Sequence, residues 1–250
     1  MRKHLAAALL LCFVLPIGVS AAVLNRDGTS FWNARRDASG QAPDPASVRE
    51  AVVQVYGART VGWRGALAVH TWIAVKPENA EEWTRYEVMG WGVDRGVPAI
   101  RVNRFGPDNY WFGARPELLF ERRGEGVEAM IRDIRAAVAS YPYPDTYRTW
   151  PGPNSNTFVA HVARTVPGLA IDLPPHAIGK DWLPDGGLIA AAPSGTGLQV
   201  SLFGALGLTL ALEEGVEFNL LGLTIGLDLN PPAIKLPGLG RIGAGNGAGD

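Results

Sequence analysis

The sequence is poor in the residues on which much enzyme chemistry depends. It has one cysteine in 250 residues, Cys12, and that cysteine lies inside the N-terminal apolar run. Past that run no disulfide, thiolate nucleophile or cysteine-ligated zinc is available. Histidine is nearly as scarce, with four residues and neither an HExxH pattern nor a His/Cys cluster, so no metal is expected. An excess of positive charge is missing too. The 23 basic and 24 acidic residues give −1, and no nucleic-acid partner is expected from such a balance. No cofactor is expected either. Gly238-Leu239-Gly240-Arg241-Ile242-Gly243 fits GxGxxG, but no βαβ unit surrounds it and it reads as a loop.

Glycine (31) and proline (19) are abundant, while 47% of the residues are hydrophobic. That combination favours turns and strands around a packed core over a helical bundle or disorder. One long apolar run exists. Arg2, Lys3 and His4 precede Leu5–Leu24, and Val19-Ser20-Ala21 offers small residues for cleavage. Residues 1–24 therefore read as a signal peptide or an N-terminal membrane anchor. The protein is expected to be exported and periplasmic, either tethered to the inner membrane through this segment or released by cleavage. Removing Arg2 and Lys3 from the 23 basic residues leaves 21 against 24 acidic ones, a balance of −3.

Residues 25–47 are polar and rich in Gly, Asp, Arg and Pro, a linker or extended arm. An α+β core is expected over 48–182. Residues 51–61 are β-prone, and 66–76 form a strand with two faces. Val69, Thr71, Ile73 and Val75 lie on one face, and Ala68, His70, Trp72 and Ala74 on the other. Residues 83–91 give a further strand, and Trp111–Phe120 another. Val127, Met130, Ile131, Ile134 and Val138 recur at helical spacing within 125–140. A rigid Trp150-Pro151-Gly152-Pro153 turn then leads to a short helix over Ser155–Arg164. Over 183–242 a C-terminal β-hairpin extension is expected, with leucines alternating across 198–229 about a Glu213-Glu214-Gly215 turn. The hairpin is read as packing on the core, with membrane or acyl-chain contact as the alternative. Residues 243–250 form a flexible tail. His176 reads as exposed in its loop, and Lys180-Asp181 as a surface ion pair.

The chemistry concentrates in two places. His70 sits mid-strand among small residues. Asn154 and Ser155 open the second helix, where either one can cap it. Ser155 is three, four and seven residues before Phe158, Val159 and Val162, which sets it on the buried stripe. A hydroxyl there, at the positive end of the helix dipole, suits a nucleophile and its oxyanion. Glu87, on the strand after His70, is placed to orient the imidazole. Asn154, Asn156, Trp72 and Arg64 are the candidate substrate contacts, Arg64 for an anionic group.

This order of elements resembles the circularly permuted papain-like peptidases, in particular the PPPDE peptidases and the lecithin retinol acyltransferase group. Val69-His70-Thr71-Trp72-Ile73 matches their histidine strand. Arg85-Tyr86-Glu87-Val88 and Trp111-Phe112-Gly113 match the strands that follow, and Asn154-Ser155-Asn156-Thr157-Phe158 matches their nucleophile motif. The resemblance spans roughly 60–178 and implies a permuted papain-like core of antiparallel strands packed on helices. Serine replaces the family's cysteine at 155, which weakens the nucleophile and raises the demand on its base. The whole chain also looks like a bacterial family of exported or membrane-anchored proteins without an assigned activity, on Trp32–Pro45, Pro151–Phe158, Ile178-Gly179-Lys180-Asp181 and Lys235-Leu236-Pro237. Two functions remain open. One is a Ser155/His70 hydrolase or acyltransferase acting on an amide or ester of a cell-envelope peptide, lipid or protein. The other is a non-catalytic envelope protein that uses the same cleft for binding or structure.

Overall fold

The structure is a computed structural model that describes residues 3, 4, 7, 10–24 and 32–244. The fold is α+β, built on two antiparallel sheets. The first has five strands in the order β4-β3-β2-β1-β5. These are β1 (Val52–Arg59), β2 (Val69–Lys76), β3 (Thr84–Val88), β4 (Ile100–Asn103) and β5 (Glu117–Arg123). The expected third strand at Trp111–Phe120 falls later, at β5. Trp111–Ala114 is instead a tight turn closed by Trp111 N–H donating to the Ala114 carbonyl. β4 had no sequence signal: four residues with a charged member offer too short an alternation to recognise.

β1 and β2 are buried along nearly their whole length, because both faces of the sheet are covered. On one face Val53, Val55, Ile73 and Val75 meet α2 (Val127–Ala139) and α3 (Ser155–Thr165). Met130, Ile131, Ile134 and Val138 form the buried stripe of α2, and Phe158, Val159 and Val162 that of α3. Each such side chain contributes about 1.5–3 kcal/mol on burial. The other face carries Tyr56, His70, Trp72, Arg85 and Glu87, following the two-residue alternation. It is covered by the 105–114 loop, where Trp72 Nε1 donates to the Pro107 carbonyl at 2.7 Å. The arm behind that loop is held too: Ser39 Oγ and the Gln41 amide donate to Asp108 at 2.9 and 2.7 Å.

The C-terminal extension is not one hairpin. It is a seven-stranded meander in the order β12-β11-β10-β9-β8-β7-β6. β6 is Ile189–Ala191, β7 Gly197–Leu202, β8 Leu206–Ala211, β9 Gly215–Leu220, β10 Leu223–Leu229, β11 Pro232–Leu236 and β12 Gly240–Gly243. Each expected arm is cut in two at Phe203-Gly204 and Leu221-Gly222, whose φ angles are all positive (54° and 74°; 53° and 87°). That is the backbone of the tight turns that join neighbouring strands.

The leucines of the meander also face the opposite way from the expectation. Gln199, Ser201, Thr209, Glu217, Asn219, Thr224, Asp228 and Lys235 are buried, while Leu198, Val200, Leu208, Leu210 and Phe218 are exposed. Alternation defines two faces but not which one turns inward. Here the polar face turns inward because its charged side chains pair with one another and with Asp172 and Lys180. Lys235 Nζ lies 2.7 Å from Asp172, 3.0 Å from Glu217 and 3.0 Å from Asp228. Lys180, expected in a surface pair with Asp181, is buried and pairs with Glu217 at 2.7 Å. His176 is likewise buried rather than exposed. Burial, with Arg59 and Lys180 nearby, pushes its pKa down to about 3.

Of the N-terminal segment, a π-helical stretch Leu10–Val14 runs into α1 (Leu15–Leu24). Arg59 Nη1 donates to Ser20 Oγ at 3.2 Å, which ties α1 to β1. Among the described residues no helix is long and apolar enough to cross a membrane. Part of the expected signal or anchor (1, 2, 5, 6, 8 and 9), part of the arm (25–31) and the tail from 245 lie outside the described residues.

Candidate active site

β3 pairs with β2 only from Trp72 onward. Residues 69–71 of β2 are thus left with an open edge, and the start of α3 docks there. Asn156 Nδ2 donates to the Val69 carbonyl at 3.2 Å and to the Ile178 carbonyl at 2.9 Å. Thr71 Oγ1 lies 3.0 Å from Asn156 Oδ1 and 3.2 Å from the Ser155 carbonyl. These contacts flank His70 on both sides, so the helix start and the histidine are fixed to the same short stretch of strand.

Asn154, not Ser155, caps α3. Its Oδ1 accepts from the amides of Asn156 and Thr157 at 2.9 and 3.0 Å. Thr157 Oγ1 accepts in return from the Asn154 amide at 2.7 Å, which completes a capping box. Asn154 Nδ2 is spent on the Thr149 and Ile178 carbonyls. Among the described residues neither the Ser155 hydroxyl nor its amide makes a hydrogen bond, although the residue is 4% exposed. A hydroxyl that neither caps nor bridges, in a helix whose cap is already supplied, has no structural task there.

His70 is the centre of a second buried group. Its Nε2 lies 2.9 Å from Glu87 Oε2. Glu87 is fully buried and also accepts from Arg85 Nη2 at 2.7 Å and Asn103 Nδ2 at 2.8 Å. Burial opposes the charge on Glu87, but His70 and Arg85 outweigh it and hold the carboxyl at about 2. The carboxylate accepts, so Nε2 carries the proton and Nδ1 is the basic nitrogen. Burial lowers the His70 pKa despite the pull of Glu87, which keeps the ring neutral and able to accept a proton near pH 7. Trp111 stacks on the imidazole, with ring centroids 3.9 Å apart and planes at 16°. A protonated imidazole gains there from the ring's negative face.

His70 and Ser155 line one cleft of about 490 Å³, together with Trp63, Arg64, Trp91, Trp111 and Tyr147. No hydrogen bond joins the two. His70 lies on the sheet face away from α3, and the cleft reaches both groups around the open edge of β2. A larger cavity, of about 580 Å³, is lined by Arg59, Arg115, Glu117 and His176; its one hydroxyl, on Thr60, donates to the Ala68 carbonyl at 3.3 Å, and no serine lines it. The smaller cleft holds the hydroxyl and the oriented base, so it is the better candidate.

The other expected contacts divide. Arg64 is exposed at the cleft rim beside Trp63. Trp72 is fully buried under the Arg85 guanidinium, 3.9 Å from its ring centre, and does not line the cleft. Asn154 and Asn156 line it but have their amide groups engaged in the scaffold. Of the amides that open α3, those of Asn156 and Thr157 are consumed by Asn154, which leaves the Ser155 amide for an oxyanion. Arg85 and Asn103 were missed. Arg85 was within reach of sequence reasoning, since Arg85-Tyr86-Glu87 in a strand puts the two charges on one face.

Comparison with known proteins gives one family. The model of a family described as "Protein of unknown function (DUF3750)" matches residues 50–182, the stretch that contains His70, Glu87 and Ser155. No curated protein and no solved structure matches the chain.

Proposed function

We propose, for a chain that belongs to the DUF3750 family of unknown function, a serine hydrolase or acyltransferase acting on an amide or ester. The carrying observation is the pairing, on one cleft, of an uncommitted Ser155 hydroxyl with a histidine already oriented by a buried carboxylate. In the proposed step, His70 Nδ1 takes the Ser155 proton as Oγ attacks the substrate carbonyl carbon. The Ser155 amide, at the N-terminus of α3, donates to the developing oxyanion. The imidazolium, held by Glu87 and Trp111, then gives its proton to the leaving amine or alcohol. Water or a second acceptor releases the acyl group by the reverse sequence. Ser155 and His70 must close together for this, as catalytic contacts often do only with substrate bound.

The lining favours the substrate's chemistry as well. Trp63, Trp91, Trp111 and Tyr147 suit an apolar or aromatic acyl portion, and Arg64 suits an anionic group at the rim. The papain-like reading of the core accords with the order of histidine strand, acid strand and nucleophile helix. The apolar start of the chain accords with export, which would set the substrate in the cell envelope. One observation favours the rival, a binding module: Ser155 and His70 share the cleft without a hydrogen bond between them.

Reaction with a fluorophosphonate separates the two. A hydrolase labels once, and Ser155→Ala and His70→Ala each abolish labelling. A folded wild-type protein that remains unlabelled overturns the hydrolase and leaves the binding module.

A further inference from the structure

The outer face of the meander is the largest feature the proposed chemistry does not use. Leu198, Leu208, Leu210, Phe218, Leu227 and Ile234 are all exposed on it, each at 39% or more. They lie on adjacent strands in register, with Leu208 opposite Phe218, Leu210 opposite Val216 and Leu198 opposite Leu210. The polar side chains of the same strands are buried behind them. The same face continues over Val200, Leu202, Leu206, Val216, Leu229 and Ile242, each at 42% or more, which takes it beyond the roughly 300–600 Å² of the largest patch on an ordinary monomer.

We infer that this face is covered by a second copy of the chain, sheet packed against sheet. Three observations select that occupant. The first is area: a standard interface takes roughly 800 Å² from each partner, and the twelve exposed apolar side chains of this face, on six neighbouring strands, make a patch of that order. The second is charge. The charged residues of β9, β10 and β11, namely Glu217, Asp228 and Lys235, are all buried. The outer face therefore carries no like charges to repel its own image across a two-fold axis. The third weighs against a lipid surface. From Leu183 to Ala244 there is no tryptophan or tyrosine, and the only basic residues are Lys235 and Arg241. Lys235 is buried in the ion network and Arg241 is bound to Asp228. A membrane-seated face would be expected to carry interfacial aromatics and free cations for headgroups. Two such faces at the usual spacing of about 10 Å would interdigitate their leucines as a sandwich core does.

Cross-linking of the full chain in intact expressing cells tests this. Cys12→Ser removes the native thiol, and Phe218→Cys places one at the centre of the face. A short bismaleimide is expected to give a product of twice the 26.7 kDa chain mass. Arg132→Cys, exposed on α2, is expected to give none. Adding Leu208→Glu and Leu210→Glu to Phe218→Cys is expected to lower the dimer product at least tenfold. If the glutamate variant fails to fold, the two cysteine variants decide alone. A Phe218→Cys thiol that reacts with a monofunctional maleimide yet yields only monomer overturns the inference. So does equal dimer from Arg132→Cys. So does a Phe218→Cys thiol that is shielded until detergent is added and never cross-links, the behaviour of a lipid-covered face.

Discussion

Replacing Glu87 by glutamine tests both the energetics and the chemistry of the site. Glu87 is fully buried and serves three donors: His70 Nε2, Arg85 Nη2 and Asn103 Nδ2. Glutamine keeps the shape but removes the charge, leaving the Arg85 guanidinium, 2% exposed, without a counter-ion. Breaking a buried pair from one side costs about 3–5 kcal/mol. The carboxyl itself gives a similar figure. It falls from 4.5 to about 2, which at 1.36 kcal/mol per unit is about 3 kcal/mol. For a protein of this size that corresponds to a melting temperature lower by about 6–20 °C. The chemistry changes separately. The glutamine oxygen still accepts from Nε2–H and from Arg85 Nη2, so the tautomer is kept, but the imidazolium formed when Nδ1 takes the Ser155 proton loses its carboxylate counter-charge, and the rate is expected to fall. Adding Arg85→Met removes the stranded cation, so Arg85→Met/Glu87→Gln is expected to recover most of the stability and none of the rate. Calorimetry and the rate of fluorophosphonate labelling measure the two effects. A Glu87→Gln protein that loses under 1 kcal/mol, or labels at the wild-type rate, refutes the reasoning.

Ser155→Ala removes a hydroxyl that bonds nothing, so its stability is expected within about 0.5 kcal/mol of wild type; a loss above 1 kcal/mol by denaturant titration would give that hydroxyl a structural role. Asn154→Ala, by contrast, removes the cap of α3 and is expected to cost at least about 1 kcal/mol. Lys235→Met leaves Asp172, Glu217 and Asp228 facing one another and is expected to cost about 3 kcal/mol or more, with limited proteolysis cutting first within 189–243. Acid stability carries a sign. The Glu87 carboxyl is lowered in the folded protein, so its contribution is complete above about pH 4.5 and is lost as the pH falls toward 2. The buried histidines His70 and His176, both lowered, act in the same sense below pH 6.5, while Asp172 and Asp181, raised by burial to about 7 and about 6, act in the opposite one. Melting temperatures across pH 2–7 are therefore expected to converge between wild type and Glu87→Gln below about pH 3.

Much of the first sheet was readable because its signals are local. The two faces of β2 and the stripe of α2 follow from residue spacing alone, and the Asn-Ser-Asn-Thr motif marks the start of α3. The C-terminal sheet was misread for a physical reason. Leucine alternation gives the strand period, but the sense of burial depends on Lys180 and Asp172, which approach Glu217 and Lys235 from the irregular segment between α3 and β6. Sequence separations of that size carry no pattern. The same limit hid Asn103, which reaches Glu87 from a strand too short to announce itself, and it hid the fact that His70 and α3 occupy opposite faces of the sheet. Where the helix is capped was open between two neighbouring residues, and only the hydrogen bonds decide for Asn154.

The most direct test of the proposed chemistry is to map the adduct after treating the full chain with a fluorophosphonate at several pH values. The expected result is a single phosphonylated peptide carrying Ser155. Its rate of formation should rise with pH through an inflection below 6.5, as the His70 imidazolium loses its proton. An adduct on another residue, a rate indifferent to His70→Ala, or no adduct on folded protein would contradict the Ser155–His70–Glu87 assignment.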